Sequence, residues 1–331
     1  MIVTSYLRLL LGVLLALSGV CSGWAQLSST NVIRGSISVP GERDVYTFSL
    51  ASRARYYFDT LTNTPSMTWS LEGPAGVEVS NRGIASSDTG NYPTLLLEPG
   101  FYRLTVDGDG SVTNDYAFRF VDLATATLLT PGTLVTNTLS PGTETDLYQF
   151  TSAAGDRLFF DRLTTPPSIN VYWRLIDPYG NEVFSGGFND VNNITQRVAG
   201  VYTLLVEGYP GNDVAGPYSF TVVLQGNTPP VPFSGTPLTL GQTLTGSMTN
   251  VSTNDFIFTL GATTRVIMDT LTNSPSINWY LDGPPGILVN GSALNGSDGQ
   301  SGVPSLELPA GNYSCGSGGW RPDSPLTVSV W

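Results

Sequence analysis

The chain has no histidine and no lysine; all 14 of its basic residues are arginine. That empties most of the catalytic repertoire, because Ser-His-Asp and Cys-His nucleophiles, lysine Schiff bases and histidine-ligated zinc each need a side chain this protein lacks. Carboxylate chemistry is what remains. Cysteine is nearly as scarce, with only Cys21 and Cys315, and charged residues make up 12% of the 331. Acids outnumber bases by 26 to 14, a formal net charge of −12. Such a balance argues against a nucleic-acid partner, whose phosphates need a basic surface, and is compatible with calcium or neutral glycans. The apolar run Leu9 to Val20 is too short for a membrane span, which needs about 20 residues.

That run reads instead as the centre of a secretory signal over residues 1–25. Arg8 supplies the positive n-region and Gly23-Trp24-Ala25 a small-x-small cleavage site. Cys21 opens a lipoprotein alternative, but Val20 stands where a small residue is wanted. Cleavage removes Cys21 and leaves Cys315 alone, so no intramolecular disulfide is available and packing must hold the fold. The expected location is outside the cell, secreted or at the surface, with no transmembrane segment in the mature chain.

What the sequence does have is glycine (37) and proline (23), a composition that suits short strands and tight turns and predicts an all-β protein. It also repeats itself. Asp44-Val-Tyr46-Thr-Phe48 returns as Asp146-Leu-Tyr148-Gln-Phe150 and as Asn254-Asp-Phe256-Ile-Phe258. Phe58-Asp59-Thr-Leu61 returns as Phe160-Asp161-Arg-Leu163 and as Met268-Asp269-Thr-Leu271. The two motifs keep the same separation in every copy. Trp69-Ser-Leu71, Trp173-Arg-Leu175 and Trp279-Tyr-Leu281 each precede a proline-containing turn that ends at Gly76, Gly180 or Gly286. Gly100-Phe-Tyr102-Arg-Leu104-Thr-Val106 is matched by Gly200-Val-Tyr202-Thr-Leu204-Leu-Val206, and Tyr116-Ala-Phe118 by Tyr218-Ser-Phe220.

Each motif alternates apolar and polar residues, the period of a strand with one buried face. A repeat of about a hundred residues is too long for a solenoid coil or a propeller blade. It predicts three tandem antiparallel β-sandwich domains of about eight strands each, packed as two sheets. Their boundaries fall at 27–125, 126–227 and 236–331, with a proline-rich linker at 228–235. The third copy diverges: Asn254 replaces Asp, and Gly311-Asn-Tyr313 continues as Ser-Cys315-Gly-Ser-Gly-Gly where Leu-x-Val is expected.

Taken in order, Asp-x-Tyr-x-Phe, Asp-x-Leu, Trp-x-Leu with its Pro/Gly turn, Gly-x-Tyr-x-Leu-x-Val and the final Tyr-x-Phe resemble the bacterial pre-peptidase C-terminal (PPC) domain family. The resemblance covers most of residues 30–331 as three copies. It implies jelly-roll-like sandwiches that accompany secreted proteases or form arrays on surface proteins, accessories rather than catalysts.

The candidate sites are few. Trp69, Trp173 and Trp279 could stack on sugars, but each shares strand parity with a leucine, which places them in a core. The same argument covers Tyr46, Tyr102, Tyr148 and Tyr202. Asp59, Asp161 and Asp269 are expected to cap the turn that follows them. The most calcium-like loop is Asp107-Gly-Asp109-Gly-Ser111 with Asn114 and Asp115, where alternating oxygen ligands could converge on one cation, although it lacks the terminal glutamate of an EF-hand. Ca2+ is the one cofactor left open. The Asn-x-Ser/Thr sequons at Asn193, Asn250, Asn290, Asn295 and Asn312 read as turn composition. The expectation is a non-catalytic spacer or adhesive protein. Two alternatives stand beside it: a polysaccharide- or matrix-protein-binding module, and a glycoside hydrolase built on two carboxylates about 5–10 Å apart.

Overall fold

The computed structural model describes residues 25–26, 31–86, 94–248, 253–271, 273, 275–296, 305–319 and 324–330, the backbone alone at 25–26, 246–248, 253, 318–319 and 324–330. The signal features at residues 1–24, Arg8 and Cys21 included, lie outside the described residues. The chain divides into two compact units, residues 1–122 and 123–331. The first holds one sandwich and the second holds two.

In the first unit a five-stranded sheet runs in the order Ala25–Gln26, Arg43–Leu50, Gly100–Gly108, Met67–Gly73, Gly76–Gly83. Facing it is a four-stranded sheet of Ile33–Ile37, Asn114–Asp122, Ala54–Thr60 and Leu95–Leu97. The second sandwich repeats both sheets: Thr127–Leu128, Thr145–Ser152, Gly200–Gly208, Val171–Ile176, Glu182–Gly187, and Val135–Leu139, Gly216–Asn227, Asp156–Thr164, Val191–Thr195. All long pairings are antiparallel. The exception is a two-residue lead-in strand that pairs parallel with the first long strand in each copy, at Ala25–Gln26, Thr127–Leu128 and Thr236–Pro237. The sequence boundary after residue 25 cuts through the first of these. Composition shows no trace of so short a strand.

The third sandwich keeps the five-stranded sheet, Thr236–Pro237, Thr253–Leu260, Gly311–Gly319, Ile277–Gly283 and Gly286–Ala293. Its second sheet is divided into Thr243–Met248, Ser324–Val330, Met268–Thr270 and a separate pair, Thr264–Val266 with Leu306–Leu308. The strand that diverges in sequence at Cys315 is present, paired along its backbone with Thr253–Leu260 and Ile277–Gly283. Cys315 and Ser317 stand in the places of Leu104 and Val106 and are buried there.

Strand parity buries the repeated tryptophans and tyrosines. Trp69 and Trp173 are 0% exposed and Trp279 3%, each at the centre of its own core. Tyr102, Tyr202 and Tyr313 are buried and donate their hydroxyls, each at 2.7 Å, to the carbonyls of Glu98, Val198 and Pro309, four residues upstream. The repeated glycines follow from geometry. Gly76, Gly180 and Gly286 have φ of 109°, 91° and 109°, the conformation that closes the turn after each tryptophan strand. At Gly100, Gly200 and Gly311 a Cβ would come within 2.6 Å of the ring of Pro74, Pro178 or Pro284.

The Asp-x-Tyr motif builds a polar unit inside two of the cores. Tyr116 donates to Asp44 Oδ2 at 2.5 Å, and the Tyr46 and Tyr116 hydroxyls are 2.6 Å apart. In the second sandwich Tyr218 donates to Asp146 at 2.6 Å and pairs with Tyr148 at 2.6 Å, while Asn137 donates to the same carboxylate at 3.0 Å. In the third copy Asn254, Phe256 and Leu326 occupy these places, Leu326 opposite Gly246 as Tyr116 is opposite Gly35. Both tyrosines and the aspartate change together. A single survivor would be a buried polar group without its network.

These phenols govern the response to alkali. Burial pushes the hydroxyls of Tyr46, Tyr148, Tyr202 and Tyr313 upward from 10, reaching about 12 at Tyr202 and Tyr313. Tyr116 and Tyr218 move further, through burial and the nearby carboxylates of Asp44 and Asp146. The folded state therefore binds these protons more tightly than the unfolded chain, and stability falls as pH rises above 10. Without histidine, the side chains provide no ordinary titration near neutrality. Urea midpoints are expected to be level from about pH 6 to 9 and to drop steeply from about pH 10 to 12. A midpoint that moved substantially within the neutral range would contradict this account.

Candidate functional site

Asp107, the first of the calcium-loop residues, lies near the end of the strand Gly100–Gly108, opposite Arg43, whose Nε donates to Asp107 Oδ2 at 2.7 Å. Asp109 starts a turn: its N–H donates to Ser66 O at 2.8 Å and its carbonyl accepts from Val112 N at 3.2 Å. Ser111 is exposed, and Asn114 and Asp115 open the next strand, the Asn114 side chain accepting from the Asp115 amide at 2.9 Å. Among the described residues no three acidic, histidine or cysteine side chains come together around a common point.

Two of the repeated aspartates, Asp59 and Asp161, face a neighbouring strand rather than only the turn that follows them. Asp59 lies within the strand Ala54–Thr60, is 0% exposed, and receives the Arg119 guanidinium from the adjacent strand at 2.5 Å. Asp161 accepts from Thr221 in the matching position at 3.5 Å. Their side chains answer the neighbouring strand, which sequence spacing does not display.

A hollow lies in the second unit, where the second and third sandwiches meet the linker. It holds about 520 Å3 and is lined by Arg197, Pro230, Pro232, Phe233, Asp282 and Pro284 among others. A neighbouring hollow of about 380 Å3 shares Pro232, Phe233 and Asn312 with it. The walls are tied together across the junction. Arg197 pairs with Asp282 and donates to Gly283 O at 3.1 Å. Asn181 Nδ2 donates to Pro285 O at 2.8 Å, while its own turn is fixed by Asp177, which accepts from the amides of Tyr179 and Asn181 at 2.8 Å. The arrangement is a joint. The ion pair neutralises its own charge, and Asp282 is the only carboxyl among the lining residues of both hollows.

Sequence reasoning missed these residues because the joint is not repeated. Counted back from the hydroxyl-donating tyrosine, Arg197 stands where the other copies have Leu97 and Leu308; counted from the turn glycine, Asn181 stands where they have Val77 and Ile287. A departure from the repeat, rather than a motif, was the available signal.

No protein-family model matches the chain, and no curated protein does. Among solved structures, the CUB1-EGF-CUB2 region of human MASP-1/3 is similar at 13% identity, with a TM-score of 0.19, over 57% of this chain and 99% of that one. The full extracellular region of zebrafish Gpr126/Adgrg6 is similar at 10% identity, with a TM-score of 0.20, over 61% of this chain and 36% of that one. No described helix is long and apolar enough to cross a membrane. Likenesses this distant leave the assignment resting on the sheets themselves: an all-β chain of repeated antiparallel sandwiches.

Proposed function

We propose that this protein is a non-catalytic extracellular array of accessory sandwich modules, of the kind the PPC resemblance implies, serving as a spacer or adhesive element. One observation carries the reading. The residues repeated across the copies, Trp69, Trp173 and Trp279 with Tyr102, Tyr202 and Tyr313, are buried in three separate cores. What the repeat preserves is packing. Support also comes from the joint, which ties the second and third modules through the Arg197 and Asn181 contacts, as a spacer requires, and offers one carboxyl where a glycosidase needs two.

The reading predicts no turnover when the secreted chain is incubated with a broad panel of glycoside, ester and peptide substrates. Turnover by the purified protein that disappears in a carboxylate variant such as Asp282→Asn would overturn it. Retention on insoluble glycan or fibrillar collagen would distinguish adhesion from spacing alone.

A further inference from the structure

We infer that Tyr172 and Tyr209 form a stacking platform for a neutral polysaccharide on the second sandwich. Both rings are open to solvent, 38% and 43% exposed, with centroids 6.4 Å apart and planes inclined by 47°. The repeat serves as an internal control. The residue before the core tryptophan is Thr68 in the first copy and Asn278 in the third, and the turn position of Tyr209 is Asp109 in the first. The fold therefore closes without an aromatic at these places, and their exposure in the second copy has no packing reason.

The pair is held in place before any ligand arrives. Tyr172 lies in the strand Val171–Ile176, and Tyr209 N donates to Asn170 O at 3.1 Å. Asn212 locks the turn: its N–H donates to Tyr209 O at 2.9 Å, its Oδ1 accepts from Asn170 N at 3.0 Å, and its Nδ2 donates to Asn170 O and Gly142 O. Directly across the sheet from Tyr172 is Gly187. A Cβ there would meet only the Asn189 amide at 3.3 Å. The surface beside the rings is thus flat and open, with a side-chain amide at its edge. Aromatic faces attract the polarised C–H groups of a pyranose, and the amide can hydrogen-bond its hydroxyls. The net charge of −12 disfavours an anionic polymer and leaves a neutral one.

The inference gives the adhesive part of the accessory reading a ligand class and rests on that reading. Its failure would show in binding, whereas failure of the accessory reading would show in turnover. The test is affinity electrophoresis of the full secreted chain in gels containing hydroxyethyl cellulose, xylan, laminarin or dextran. Retardation in at least one gel is expected, weakened roughly tenfold by Tyr172→Ala or Tyr209→Ala and largely kept by the phenylalanine variants, which retain the ring face. Unchanged unfolding midpoints would show that the alanine variants are folded. Migration unaffected by every polymer, equal retardation of the alanine variants, or tyrosine-dependent binding of a polyproline peptide instead of sugar would each overturn the proposal.

Discussion

Trp173→Ala is expected to destabilise the second sandwich by about 3–5 kcal/mol, a large share of what a domain of this size has. The indole is 0% exposed and touches four phenylalanines, with ring centroids 4.6 Å away at Phe188, 6.0 Å at Phe160 and 6.1 Å at Phe184 and Phe220. Alanine leaves a cavity bounded by rigid rings on two sheets, which cannot both move in to fill it. Trp173→Phe should be much milder. The Trp173 indole N–H is buried with no hydrogen-bond partner among the described residues, so removing it relieves a desolvated donor while the ring volume is partly kept. Urea titration followed by circular dichroism would measure both, and a phenylalanine variant as unstable as the alanine variant would show that volume alone is not the issue.

The second large effect concerns a charge cluster on the opposite face of the same strand. Arg174 is 6% exposed and Glu207 2%, and the guanidinium donates to the Glu207 carboxylate at 3.1 Å and 3.5 Å and to Glu182 at 2.8 Å. The pair forms because Arg174 and Glu207 come from neighbouring antiparallel strands and point to the same side. Arg174→Ala leaves the Glu207 carboxylate buried without that guanidinium, and a loss of about 3–5 kcal/mol is expected. The double variant Arg174→Met with Glu207→Leu removes both charges at similar volume and should recover most of the loss, or exceed the parent. If the double variant were as damaged as the single one, desolvation of the carboxylate would not be the cause.

Both effects show how unevenly the fold could be read. Trp173 was legible because its core role follows from strand parity with Leu175 and recurs in every copy. The pairing of Arg174 with Glu207 was not, since the two residues belong to different strands and the arginine has no counterpart at Ser70 or Tyr280. Asp59 fell between these cases. Its recurrence was visible, but its cross-strand arginine, Arg119, was not, so local turn capping was the nearest available explanation. The replacement of Asp44, Tyr46 and Tyr116 by Asn254, Phe256 and Leu326 was partly visible at Asn254. Its meaning as the loss of one hydrogen-bonded unit required the register that sets the first and last strands face to face.

Residue type and local spacing suffice for the strand periodicity, the turns, the threefold repetition and the absence of histidine and lysine, so these were legible before any fold was seen. Tertiary structure decided which copies keep a polar unit, which strand each aspartate faces, how the linker and two modules make a joint, and where aromatic rings stay exposed. Those outcomes depend on contacts between residues far apart in the chain. The same periodicity that buries Trp173 leaves Tyr172 on the other face of its strand, and only the packed molecule shows that ring open to solvent beside Tyr209.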